Sequence, residues 1–203
     1  MSFPTGRAIR ATHAWGLVAA LLCVCALVGW PLPHESLDWQ PALAFTQPWR
    51  AFTAVAVHYN GIHLAGALAG AALTGALGIA AQVPMRLVWA WLVAWPLTHF
   101  GLLVKPELAH YGGVSGVVHA GVAAVIVCLL VKGPRAQRLI GAAMLVGILI
   151  KVLGETPWGP ALRYPEGWGI AVAPIAHATG ALAGAGCALI ALLLHKPRRP
   201  EPA

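Results

Sequence analysis

Residues 113–131, GVSGVVHAGVAAVIVCLLV, and residues 174–194, PIAHATGALAGAGCALIALLL, each place one chemically active side chain near the start of a long apolar run. Ser115 follows Gly113 and Val114 and precedes Gly116 in the first run, and His177 lies just inside the second, between Ala176 and Ala178. Runs of this kind suit a hydrocarbon core of about 30 Å, which roughly 17 to 25 helical residues cross. A hydroxyl and an imidazole at matching depths of two such helices point to a serine nucleophile and its base within a membrane.

The rest of the chain agrees with a membrane setting. Of 203 residues, 59% are hydrophobic and only 9% are charged, a balance that excludes an ordinary soluble domain. Apolar runs at 14–30, 61–80, 87–104, 115–131, 139–153 and 174–194 predict an all-α membrane protein, a six-helix bundle forming one domain over 1–195. Residues 196–203 are expected to be a short basic, proline-rich tail on the cytoplasmic side. The first run follows Arg7 and Arg10 and is read as a spanning helix rather than a cleaved leader.

The net charge of +7 reflects short basic flanks, so nucleic-acid binding is not expected. Arg7, Arg10, Arg86, Lys132, Arg135, Arg138, Lys196, Arg198 and Arg199 fall on one side of a six-helix layout. The positive-inside rule then puts both termini in the cytoplasm, and the short six-helix form without organelle signals suggests a bacterial inner membrane. Cys23, Cys25, Cys128 and Cys187 lie in apolar runs and suggest neither a disulfide framework nor a zinc site. The long first connection, from Pro31 to Val57, carries Trp39, Phe45, Trp49 and Phe52 and is expected to lie at the membrane interface.

In this layout the second, fourth and sixth helices start on the outer side, so His58, His63, Ser115 and His177 share one level. The irregular stretch from His110 to Val114 must be buried in protein or line water at that depth, which predicts a wet cavity opening to the periplasm. Glycine at 113 and 116 lets a substrate backbone approach, and free N–H groups at the helix start are suited to an oxyanion. His177 would take the serine proton, and since its own segment has no acid, a Ser-His dyad is expected. Lys151 and Glu155 are spaced for an i, i+4 pair at a helix end.

These residues resemble the rhomboid family of intramembrane serine proteases. The resemblance rests on Trp49-Arg50 in the first loop, His58 and His63, Gly113-x-Ser115-Gly116, and Ala176-His177-x-x-Gly180-x-x-x-Gly184. It implies a catalytic Ser115 and His177, an oxyanion hole that draws on His63, Ser115 and Val114, and a first loop half-immersed in lipid. The sequence departs from the family pattern at Ala67, where rhomboids usually carry an asparagine donor, and at His119, where many have tyrosine. Asn60 or water is a candidate replacement for the missing donor. His119, four residues after Ser115, lies on the same helix face and is expected to stack on His177.

The run from Ser115 to His119, with Lys151 and Glu155, looks like the rhombosortase branch, which implies a substrate with a Gly-Gly-type C-terminal sorting tail. The expected partners are therefore an exported protein bearing a transmembrane or sorting tail, and membrane lipid. No cofactor is expected. Two other readings remain at this point: a rhomboid-like pseudoprotease, suggested by Ala67, and a metal or haem protein using His58, His63, His119 and His177.

Overall fold

The computed structural model describes residues 6–194, so the tail expected at 196–203 lies outside the described residues. The chain runs through α1 (Gly6–Gly29), α2 (His34–Leu37), α3 (Arg50–Thr53), α4 (Gly61–Ala80), α5 (Met85–Phe100), α6 (Ser115–Lys132), α7 (Arg135–Gly154) and α8 (Pro174–Leu193). Among the described residues the only extended pairings are two isolated bridges, Trp39 with Tyr111 and Arg163 with Val172. Five helices, α4, α5 with its following turn, α6, α7 and α8, are long and apolar enough to cross a membrane. The apolar part of α1 is shorter, His13–Gly29.

Helix boundaries differ from the apolar runs for local reasons. α1 and α7 begin earlier than expected, because a polar first turn can be helical without being apolar, and α7 starts directly after Pro134. α5 ends at Phe100, and Gly101–Val104 tightens into a 3-10 turn, a common way to occupy the last carbonyls of a helix. α4 is capped by Asn60, whose Oδ1 accepts from the His63 N–H at 2.8 Å, and α8 starts on Pro174, which has no N–H to leave unpaired.

α6 is the most buried of the five spans and packs on α4, α5, α7 and α8, whereas α7 is the least buried. Its closest partner is α8. A Cβ at Gly180 would collide with the Gly116 carbonyl, and one at Gly184 with the Ala120 carbonyl, so both glycines are needed for the two backbones to touch. On α5, Trp91 and Trp95 turn into the core while Trp89 faces outward. Residues 91 and 95 lie one turn apart on the packed face, where Trp91 stacks on Trp15 at 5.0 Å and donates from Nε1 to the Val117 carbonyl at 2.8 Å.

The first connection is folded rather than loose. Arg50 is buried; its Nη1 donates to the carbonyls of Glu35 and Asp38, both at 2.9 Å, and pairs with Asp38 Oδ1 at 3.1 Å. Its Nε donates to Gln47 Oε1 at 2.6 Å, and Asp38 Oδ2 also meets His110 Nδ1 at 2.6 Å. Arg50 thus holds the loop from within, while Phe45, Trp49 and Phe52 are exposed. The same loop secures the approach to α6: Trp39 and Tyr111 exchange backbone hydrogen bonds at 2.8 and 2.9 Å, and Gly113 N–H donates to the Ala54 carbonyl at 2.9 Å.

Removing one partner of a buried ion pair leaves the other uncompensated. Arg50→Ala is therefore expected to destabilise the protein by about 3 kcal/mol, with Arg50→Lys only partly restoring it, as read by thermal unfolding in detergent. Gly184→Leu should force α6 and α8 apart and lower the unfolding temperature more than Gly186→Leu, since a Cβ at Gly186 meets nothing within 4 Å.

Candidate active site

Ser115 opens α6 after a backbone turn that only glycine adopts easily: Gly113 has φ of 133°, and a Cβ there would lie 2.8 Å from His63 Nε2. His177, one turn into α8, is buried, and its Nε2 lies 3.0 Å from Ser115 Oγ. The α6–α8 contact at Gly116 and Gly180 lies beside this pair and sets their separation.

The acid that α8 lacks arrives from α7. Glu155, the residue after α7, places Oε2 2.5 Å from His177 Nδ1 and also pairs with Lys151 one turn earlier. Its backbone carbonyl accepts from Arg163 Nη1 at 3.0 Å, and the Arg163–Val172 bridge returns the chain to Pro174. Burial opposes ionisation of Glu155, but hydrogen bonds from His177 and Lys151 and the lysine's charge outweigh it and hold its pKa at about 2. An ionised carboxylate only accepts, so Nδ1 of His177 carries the proton and the Nε2 lone pair faces the Ser115 hydroxyl.

His119 stacks on His177 with ring centroids 4.4 Å apart and planes 16° from parallel. Its Nδ1 lies 2.7 Å from the Ser115 carbonyl and must be the donor, since a carbonyl has no proton to give. The Tyr59 N–H donates to His63 Nδ1 at 3.4 Å, which leaves Nε2 as the protonated nitrogen on the side of Gly113. His63 is therefore oriented as a donor.

Ser115, His63, His119, His177, Lys151 and Glu155 line one cavity of about 760 Å³. Gly66, Ala67 and Gly70 of α4 form a smooth wall of it, and residues 162–173 of the α7–α8 connection cover it from another side. Asn60 is engaged elsewhere: its Oδ1 caps α4 and its Nδ2 donates to the Trp168 carbonyl at 2.6 Å, tying that connection to α4. Asn60 thus acts as a strap across the site's edge.

The remaining candidates fall outside the cavity lining. His58 is buried against His63, with ring centroids 4.8 Å apart and both nitrogens unpartnered; burial pushes its pKa down to about 4, so the ring is neutral. Val114 is buried in the wall before Ser115, Gly113 and Gly116 act through backbone shape, and Gly180 and Gly184 through helix contact. Trp49 is exposed on the first loop and Arg50 is its internal clamp. No group of three or more His, Cys, Asp or Glu among the described residues is arranged to hold a metal.

Two cavity residues escaped sequence reasoning. Glu155 was legible only as the partner of Lys151, because nothing in linear spacing brings it to His177. Tyr111 lines the cavity, and its buried hydroxyl has no hydrogen-bond partner. Its backbone is held in place by pairing with Trp39, far away in sequence.

A model of the Rhomboid domain matches residues 46–195, from the first loop to the end of α8. No curated protein matches the chain. With apolar helices of spanning length around a half-buried serine and a buried histidine, this integral membrane chain belongs to the rhomboid family of intramembrane proteases.

Proposed function

We propose that the protein is a serine endopeptidase that cuts a membrane-spanning or C-terminal sorting tail of exported proteins, using Ser115 and His177. The observation that carries this reading is the 3.0 Å contact between Ser115 Oγ and His177 Nε2 inside a cavity large enough for a peptide segment. Ser115 Oγ attacks the scissile carbonyl carbon as its proton passes to His177 Nε2, giving a tetrahedral oxyanion. The oxyanion faces His63 Nε2–H and the free N–H groups at the start of α6, with Ser115 and Val114 as the candidate backbone donors. Collapse breaks the C–N bond, and the amine leaves with the proton from His177. Water then attacks the acyl ester, giving its proton to His177, and Ser115 is restored as the carboxylic product departs.

The finer placement follows the same reading. The basic flanks favour both termini in the cytoplasm, with α1 as a sixth span and the cavity opening to the periplasm of a bacterial inner membrane. Phe45, Trp49 and Phe52 suit a loop bedded in lipid. The rhombosortase-like run Ser115 to His119, and a cavity wall of Gly66, Ala67 and Gly70, favour a tail with a small-residue, Gly-Gly-type cleavage region. Ala67, which supplies no donor, is the observation that favours the second reading, a client-binding pseudoprotease.

Ser115→Ala and His177→Ala should each abolish cleavage of a Gly-Gly-tailed reporter while leaving the thermal unfolding of the protein intact. Full cleavage by either would remove the proposed mechanism. Ala67→Asn adds an amide to the cavity wall and should maintain or raise turnover; the gain can reach about 100-fold if the oxyanion lacks a donor there. A folded Ala67→Asn protein with clearly lower turnover would show that another group already uses that space.

A further inference from the structure

We propose that Glu155 is a positioning residue for catalysis, extending the Ser115–His177 pair into a three-membered relay whose acid comes from the end of α7. The proposal rests on the reading of Ser115 as nucleophile and His177 as base. An exposed i, i+4 Lys–Glu pair needs only one carboxylate oxygen and contributes little to stability. Here the oxygens are divided: Oε1 meets Lys151, while Oε2 turns inward to His177 Nδ1 at 2.5 Å. The Glu155 side chain is 22% exposed and His177 only 7%, so their contact forms at the edge of the cavity, where solvent competes weakly.

The carboxylate has two effects on His177. It fixes the ring as the tautomer with Nε2 free to accept from Ser115, and it stabilises the imidazolium formed when the serine proton arrives. Other groups around the ring do not duplicate this. His119 of α6 stacks on its face, His63 of α4 is neutral when it accepts from Tyr59, and Lys151 of α7 is directed to Glu155. From α5, His99 packs against Trp39 and Tyr111, and Thr98 receives Thr179 through its carbonyl. Because α7 is the least buried span, the relay also makes the docking of its C-terminal end, through Lys151 and Arg163, a condition for an oriented base.

The test is the rate at which a fluorophosphonate probe labels the full-length protein in detergent, measured across pH. In that reaction Ser115 Oγ forms a P–O bond, fluoride leaves, and the serine proton passes to His177. Glu155→Ala should slow labelling by about 10- to 100-fold, since the base loses its orientation. Glu155→Gln keeps an acceptor for Nδ1–H but no charge; it should label at an intermediate rate and with a changed pH profile.

Folded variants that label at the wild-type rate with an unchanged pH profile would overturn the proposal. So would slower labelling accompanied by a lower unfolding temperature and an unmoved profile, which would make Glu155 purely structural. Wild-type protein whose labelling does not depend on Ser115 would instead refute the underlying serine-nucleophile reading, and the relay with it.

Discussion

The backbone contact between α6 and α8 is the constraint on which the site depends. Gly180 and Gly184 bring α8 onto the Gly116 and Ala120 carbonyls, and no other residue type lets the axes approach so closely. Helices in lipid gain little from burying apolar side chains against one another, so close packing of small residues is a main source of their association. That contact begins one residue past Ser115 and one turn past His177. The distance between Ser115 and His177 is consequently set by rigid backbone rather than by flexible side chains, which keeps their hydrogen bond in register.

A second constraint acts on the chain just before Ser115. Non-helical backbone at this depth must have its polar groups paired, and the first connection supplies the partners through Trp39 and Ala54. That connection is in turn held from inside by Arg50, buried with Asp38 and two carbonyls. Arg50 thus maintains the geometry of the chain leading into Ser115, while the neighbouring Trp49 and Phe52 face outward. Destabilising this clamp would act on the site indirectly, through Tyr111 and Gly113.

Electrostatics favours the same division of labour. A carboxylate paired with both a lysine and an imidazole keeps its charge despite partial burial, and its remaining effect is on the ring. The stacked His119 packs on the ring face, and His63, accepting from the Tyr59 N–H, turns its other nitrogen towards Gly113. The α4 wall of the cavity, at Gly66, Ala67 and Gly70, presents almost no side chain and leaves open space beside Ser115.

Much of this was legible in the chain because it is written in local chemistry. Apolar run length predicts helices to within a few residues, glycines four apart predict close contact, and Ser115 and His119 share a face by helical period. Local pattern does not carry the rest: the inward turn of Trp91 and Trp95 depends on which neighbour covers that face of α5, and the polar starts of α1 and α7 are invisible to hydropathy. By itself the sequence determined a membrane bundle and nominated Ser115, His177 and His63, since those rest on residue type and depth. Only the tertiary structure decided that Glu155 meets His177, that Tyr111 lines the cavity and that Asn60 ties the α7–α8 connection to α4, because each joins segments whose proximity follows from packing and leaves no trace in linear spacing.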